Sequence, residues 1–174
     1  RADICYNLGN IYKQQQQNRK AIQMYEKSIS LNPSFIPAYN NLGTVYEQEG
    51  DREKAIDIYT QGLSVDENNP SLRYNRGVAN DSMGRLDEAQ EDFSQTIKYR
   101  PNWTDAMNNL GVVLQKKHKD DDALQLFSTI LKYEPDNIQA KNNIGVIYTK
   151  QGNSQEAEKY FTEALEANPN YRKA

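Results

Sequence analysis

Residues 36–69 read IPAYNNLGTVYEQEGDREKAIDIYTQGLSVDENN. Ala38, Leu42, Val45 and Tyr46 fall on one stripe at helical spacing, and Ala55, Ile56, Tyr59 and Leu63 fall on a second. Gly50-Asp51 stands between them as a turn signal. The stretch therefore reads as two amphipathic helices joined by a tight turn.

The same pattern recurs on both sides. Gly9, Gly43, Gly77, Gly111 and Gly145 are spaced by 34 residues, and Ala21, Ala55, Ala89, Ala123 and Ala157 keep the same register. Four residues after each Ala stands an aromatic: Tyr25, Tyr59, Phe93, Phe127 and Phe161. Small residues at fixed positions have a steric cause, because two helices cross closely only where one presents little side chain. The second helix of most copies runs out into a proline signal at Asn32-Pro33, Arg100-Pro101, Glu134-Pro135 and Asn168-Pro169. One such pair cannot bury its own apolar face, whereas a stack of them can.

With its Leu-Gly…Tyr…Ala-x₃-Phe…Pro pattern the chain resembles the tetratricopeptide family over residues 2–171. The resemblance implies repeats at 2–35, 36–69, 70–103, 104–137 and 138–171, with 172–174 opening a truncated sixth repeat or capping helix. It implies an all-α fold, a right-handed α-solenoid or superhelix of stacked helix-turn-helix pairs, whose first helices line a concave groove.

Departures from the pattern carry their own expectations. Gln16 and His118 stand in turns where other repeats have Gly50, Gly84 and Gly152. If those turns need positive φ, each departure costs up to roughly 1 kcal/mol. The second repeat has Glu67 where proline is usual, and Pro70 heads the next helix, a place that tolerates it. In the third repeat Arg76 replaces Leu and Asn80 replaces Tyr on the core side of the first helix. Where position seven is Leu8, Leu42, Leu110 or Ile144, position 23 is Met24, Ile58, Leu126 or Tyr160. Only opposite Arg76 is it charged, as Asp92, so an Arg76–Asp92 ion pair is expected.

Position six of every repeat is asparagine: Asn7, Asn41, Asn75, Asn109 and Asn143. Helical geometry sets these opposite the core stripe, as a ladder along the groove. An amide offers donors and an acceptor, which suits bonding to a peptide backbone whatever its side chains. The resemblance adds that long superhelices of the family, including the substrate-recruiting arm of a nuclear and cytoplasmic protein glycosyltransferase, use an asparagine ladder in this way. It also implies a test for the family's carboxylate clamp, which needs basic residues at position five of one repeat and positions two and six two repeats along. The candidates are Tyr6, Ser71 and Asn75; Asn40, Asp105 and Asn109; Tyr74, Gln139 and Asn143. Only Asn10 and Asn41 match, so a charge-assisted grip on a C-terminal carboxylate is not expected. The rest of the groove is mixed: Tyr6 and Tyr74 supply aromatic surface, with Tyr74 the first candidate for an anchor. Val78, Val112 and Val146 supply an apolar strip, and Glu47 and Asp81 are balanced by Lys116 and Lys150.

No catalytic or metal-binding set emerges, and no cofactor is expected. His118 is alone in a turn, Cys5 reads as core packing, and Asp120-Asp121-Asp122 reads as an acidic first helical turn. Asn80-Asp81-Ser82 and Asn102-Trp103-Thr104 match the glycosylation sequon, a triplet that arises often by chance. Over 174 residues a net charge of −3 with no basic run points away from nucleic acid, and no apolar stretch approaches a membrane span. The chain starts at Arg1 without a charged-then-apolar leader, so no targeting signal is expected. The single Cys5 excludes an intrachain disulfide and favours a reducing, cytoplasmic compartment.

The leading expectation is a non-catalytic interaction scaffold that binds an extended peptide segment. The alternatives are a self-assembly scaffold and the substrate-recruiting arm of a larger enzyme. For self-assembly, apolar surface around Phe161, Ala164 and Leu165 at the C-terminal edge is expected to be partly bare, and so to associate.

Overall fold

The computed structural model describes residues 1–167. The Asn168-Pro169 turn signal and the proposed sixth repeat at 172–174 lie outside the described residues. Among the described residues ten helices follow one another: α1 (Ala2–Gln14), α2 (Asn18–Leu31), α3 (Ile36–Gln48), α4 (Arg52–Val65), α5 (Pro70–Ser82), α6 (Leu86–Tyr99), α7 (Thr104–Lys116), α8 (Asp120–Tyr133), α9 (Ile138–Lys150) and α10 (Ser154–Glu166). The fold is all-α, built of adjacent helix pairs. It divides into two compact bodies, an N-terminal one over Arg1–Tyr99 and a C-terminal one from Arg100.

Each pair closes on the small-residue rule. A Cβ placed on Gly9 would lie 2.6 Å from Cε1 of Tyr25, and one on Gly111 would lie 2.5 Å from Cε1 of Phe127. The aromatic of the second helix thus fills the space that the glycine leaves on the first. Within each body consecutive pairs then share a core. In the N-terminal body Ala21 and Tyr25 pack with Leu42 and Val45, while Tyr39, Ala55, Tyr59 and Leu63 receive Leu72 of the third repeat. In the C-terminal body Phe127, Ile130, Ile144 and Ile147 are fully buried.

The turns are left-handed in all five repeats. Gly50, Gly84 and Gly152 have φ of 82°, 74° and 74°, and Gln16 and His118 adopt 57° and 58°. The two departures from glycine therefore hold a conformation that L-residues disfavour. Pro70 does head α5, where Asn69 accepts hydrogen bonds from the backbone of Ser71 and Leu72 at 3.1 Å.

The third repeat carries its charge inside. Asp92 is 1% exposed. Arg76 donates to it twice, from Nε to Oδ2 at 2.9 Å and from Nη2 to Oδ1 at 2.7 Å. The Asn80 amide reaches Oδ2 at 3.4 Å, and Arg73 Nη1 stands 3.8 Å from Oδ1. Asn80 is itself buried, so the first sequon is closed to modification. Cys5 is half-buried rather than fully in the core.

Candidate functional site

The first helices α1, α3 and α5 line up their asparagines within the N-terminal body. Helical periodicity turns position six away from the glycine and leucine of the same helix, toward the first helix of the preceding repeat. There the amides find partners. Asn41 Nδ2 donates to Asn10 Oδ1 at 2.8 Å and to the Tyr6 hydroxyl at 3.2 Å. Asn75 Nδ2 donates to Asn40 Oδ1 at 2.8 Å. The C-terminal body repeats this link, with Asn143 Nδ2 donating to Asn108 Oδ1 at 3.0 Å. Asn109 also has an interaction partner, and Asn7 is exposed on the outer side of α1.

The ladder is thus a set of bonds between repeats. Its acceptors, Asn40 and Asn108, stand at position five and were not among the expected site residues. The doublets Asn40-Asn41, Asn108-Asn109 and Asn142-Asn143 were the signal that could have found them. Asn10 is held further by Tyr25, whose hydroxyl donates to its Oδ1 at 2.7 Å. Burial pushes the Tyr25 phenol up to about 12, so it remains a donor through the neutral range.

A cavity of about 250 Å³ opens beside these groups in the N-terminal body, lined by Tyr6, Ile36, Pro37, Asn40, Asn41, Asn69 and Ser71. Its lining mixes the amides of Asn40, Asn41 and Asn69 with apolar surface from Ile36, Pro37 and the Tyr6 ring in about equal measure. That ring is also a packing element, 5.2 Å from Phe35 edge-on and 5.9 Å from Tyr25. Tyr74 packs similarly, 5.9 Å from the Phe93 ring, and is half-buried.

The charged groups are tied into the fold as well. The Glu47 carboxylate is half-buried and accepts a bond from the Tyr59 hydroxyl at 3.0 Å. Burial raises its pKa, while that hydrogen bond and Arg52 draw it back. Lys150 pairs with Asp120 at 3.7 Å in the C-terminal body, and Lys116 has an interaction partner too. Val78 and Val112 are half-buried and Val146 is exposed. His118 is exposed in its turn. Among the described residues no group of three or more His, Cys, Asp or Glu is placed to hold a metal ion. No described helix is long and apolar enough to cross a membrane.

Comparison with known proteins agrees with this architecture. The family profile "Tetratricopeptide repeat" matches residues 2–35, 36–69 and 138–171, and a second tetratricopeptide profile matches 82–142. A crystal structure of MamA is similar at 25% identity over 95% of this chain and 97% of that one, with a TM-score of 0.88. YrrB, a TPR protein with an unusual peptide-binding site, superposes over 99% of this chain and 89% of its own at 23% identity, with a TM-score of 0.83. Among curated proteins, the UDP-N-acetylglucosamine–peptide N-acetylglucosaminyltransferase of Giardia intestinalis is 53% identical over 34 residues. That match spans 20% of this chain and 2% of the transferase.

Proposed function

We infer that this chain, which belongs to the tetratricopeptide repeat family, is a protein-binding scaffold that takes an extended partner segment along its first-helix faces. The observation that carries this reading is the ordered asparagine row. In the N-terminal body Asn75 is pinned through one amide bond and Asn41 through two, and in the C-terminal body Asn143 is pinned through one, so their carbonyl oxygens are held in fixed orientations. A row of oriented amides bonds to peptide groups without demanding particular side chains, and no ordering entropy is lost at the amides on binding. The mixed cavity beside Tyr6 gives the N-terminal body one place to seat a side chain. Tyr74, Lys116 and Lys150 then modulate the choice of segment rather than supply the grip. The peptide-binding site of YrrB is a precedent on the same fold.

The reading is tested by replacing Asn41 and Asn75 together with alanine and measuring binding to an array of random extended peptides. Each lost amide bond contributes about 0.5–1.5 kcal/mol, so the double variant should bind at least several-fold more weakly. Circular dichroism must show helices retained, because the same change removes bonds between repeats. Undiminished binding with intact helices would mean that the segment is not read through the amides.

A second reading rests on the transferase match, in which the chain serves as the recruiting arm of a larger enzyme. It predicts that acceptor polypeptides of such an enzyme compete for the same asparagine row, and that the double variant releases them.

A further inference from the structure

We propose that a cavity between α4, α5 and α6 receives a lysine side chain from a basic segment of a partner protein. The inference is independent of the groove reading, since no residue of the asparagine row lines this cavity.

The cavity lies where the third repeat departs from the second. It holds about 500 Å³ and opens among Ile56 and Thr60 of α4, Arg76 and Asn80 of α5, and the first turns of α6. The second repeat shows what fills the equivalent space. There position 11 is Tyr46, whose ring packs on both core clusters and whose hydroxyl donates to Glu26 at 3.4 Å. Lys54, at position 19, holds its Nζ 5.4 Å from the centre of that ring. In the third repeat position 11 is Asn80, too short to cover the same ground, and position 19 is Glu88. Thr60 stands where Glu26 does, at position 25 of the preceding repeat. The ring is gone and the cation above it has become a carboxylate, so the missing pieces are an apolar filler and a positive charge.

The polar groups of the cavity agree. Asn80 is 4% exposed, and its Nδ2 donates to Asp92 Oδ2 at 3.4 Å, but no described donor reaches its carbonyl oxygen. A buried acceptor without a donor is costly, and a ligand that supplies one relieves it. Arg76 does not supply it, because its guanidinium is directed to Asp92 and to the Thr60 hydroxyl. Around the cavity the carboxylates of Asp87, Glu88, Glu91 and Asp92 outnumber the guanidiniums of Arg76 and Arg85. Glu53, paired with Arg85, and Arg73, near Asp92, add one charge of each sign and leave the excess negative. An anion is therefore disfavoured, and a cation that carries donors only is matched. Lysine has such a head on a flexible apolar stem. The stem lies along Ile56 and the aliphatic parts of the lining side chains, while the ammonium donates to Asn80 and Glu88.

Every wall of the cavity lies between residues 56 and 92, inside the N-terminal body. The C-terminal edge differs, since the chain runs on past it through residues 168–174, outside the described ones. There Phe161 is half-buried and Leu165 is 52% exposed, while Ala164 is buried, contrary to its expected exposure.

The test titrates the whole chain with a blocked peptide, Gly-Ser-Lys-Ser-Gly, while NMR follows the Asn80 side-chain amide and the methyl groups of Ile56 and Thr60. Saturable shifts at all three are expected at millimolar concentration, weakening as salt rises. A norleucine peptide, which keeps the stem but lacks the ammonium, should bind about tenfold more weakly. Glu88→Lys, which gives this exposed position the charge of Lys54, should weaken the lysine peptide to a similar extent. Asn80→Tyr, which rebuilds the arrangement of Tyr46, should abolish the shifts at Ile56 and Thr60. Circular dichroism checks each variant, and Glu88→Lys, at the surface, decides if Asn80→Tyr loses helicity. The variant carrying both Asn41→Ala and Asn75→Ala should bind the lysine peptide like the wild type, which separates this site from the groove. Absence of shifts at these residues up to about 10 mM peptide would overturn the proposal. Binding that persists unchanged in Glu88→Lys would overturn it too, by assigning the lysine to other surface carboxylates. So would tighter binding of the glutamate peptide Gly-Ser-Glu-Ser-Gly, which would make Arg76 and Arg85 an anion site.

Discussion

The second and third repeats place different chemistry at the same crossing. Leu42 faces Ile58 in the second, and Arg76 faces Asp92 in the third, with no change in helix boundaries or turn geometry. Leu42 joins the shared core cluster, and Ile58 packs against both clusters of the N-terminal body. Asp92 instead sits at the centre of a polar knot with Arg76, Asn80 and Arg73. The crossing therefore requires complementarity rather than hydrocarbon. The two solutions differ in how they fail: a truncated apolar pair leaves a small void, whereas a broken ion pair strands a charge.

That difference sets the largest expected effect. Asp92→Ala leaves Arg76 facing a buried void and should cost about 3–5 kcal/mol, read by urea unfolding. Ile58→Ala should cost less, about 1–3 kcal/mol, because Ile58 is only half-buried. Making the third repeat like the second, with Arg76→Leu and Asp92→Ile together, should be neutral or stabilising. A double variant as damaged as Asp92→Ala would show that Asn80 and Arg73, rather than the pair, decide the energetics.

The turns offer a control on the comparison. Gly50 and Gly84 both hold positive φ with open space where a Cβ would stand. Alanine at either should cost about 1 kcal/mol, and the two costs should be equal. Unequal costs would place part of the difference between these repeats outside their crossings.

The smallest expected effect is a pH dependence confined to the second repeat. Its Glu47–Tyr59 bond has no counterpart in the third, where Phe93 replaces the tyrosine. Burial raises the Glu47 pKa, so the folded chain holds this proton more tightly than the unfolded chain does. Its contribution is complete below the ordinary value of 4.5 and is lost as pH rises through the raised folded value. Glu47→Gln should flatten that slope in unfolding measured across mildly acidic pH, and an unchanged slope would assign it to other carboxylates.

Most of the fold was legible because its constraints repeat. A glycine and an aromatic in fixed register define the crossing of α1 with α2 or of α7 with α8 before any tertiary contact is known. Arg76 and Asp92 could be paired for the same reason, since each is the sole exception at its position. The turn conformations at Gln16 and His118 followed from alignment with Gly50. The site was less legible. Spacing sets the ladder toward a groove, whereas Asn41, Asn75 and Asn143 also bond to the preceding repeat. A period of 34 hides such a link, because the partners sit at different positions of adjacent repeats. Tyr6 and Tyr74 read as aromatic surface, yet their packing on Phe35 and Phe93 depends on side-chain direction, which spacing does not encode. The division of the chain after Tyr99 has no marker in composition.

The fit of each aromatic against the glycine of its own repeat has a consequence for biosynthesis. Tyr25 fits against Gly9, and Phe127 against Gly111, and each glycine precedes its aromatic in the chain, although the burial of Tyr25 is completed by Leu42 and Val45 of the following repeat. A nascent chain can therefore bring each aromatic onto its glycine while the following hairpin is still inside the ribosome, and the pair is secured once that hairpin stacks on it. Translation delivers residues at about 5–20 per second, far slower than helix formation, so every hairpin has time to form before its successor arrives. What waits for synthesis is the face that the newest hairpin shares with its successor, which stays open to chaperones until the next first helix emerges to cover it.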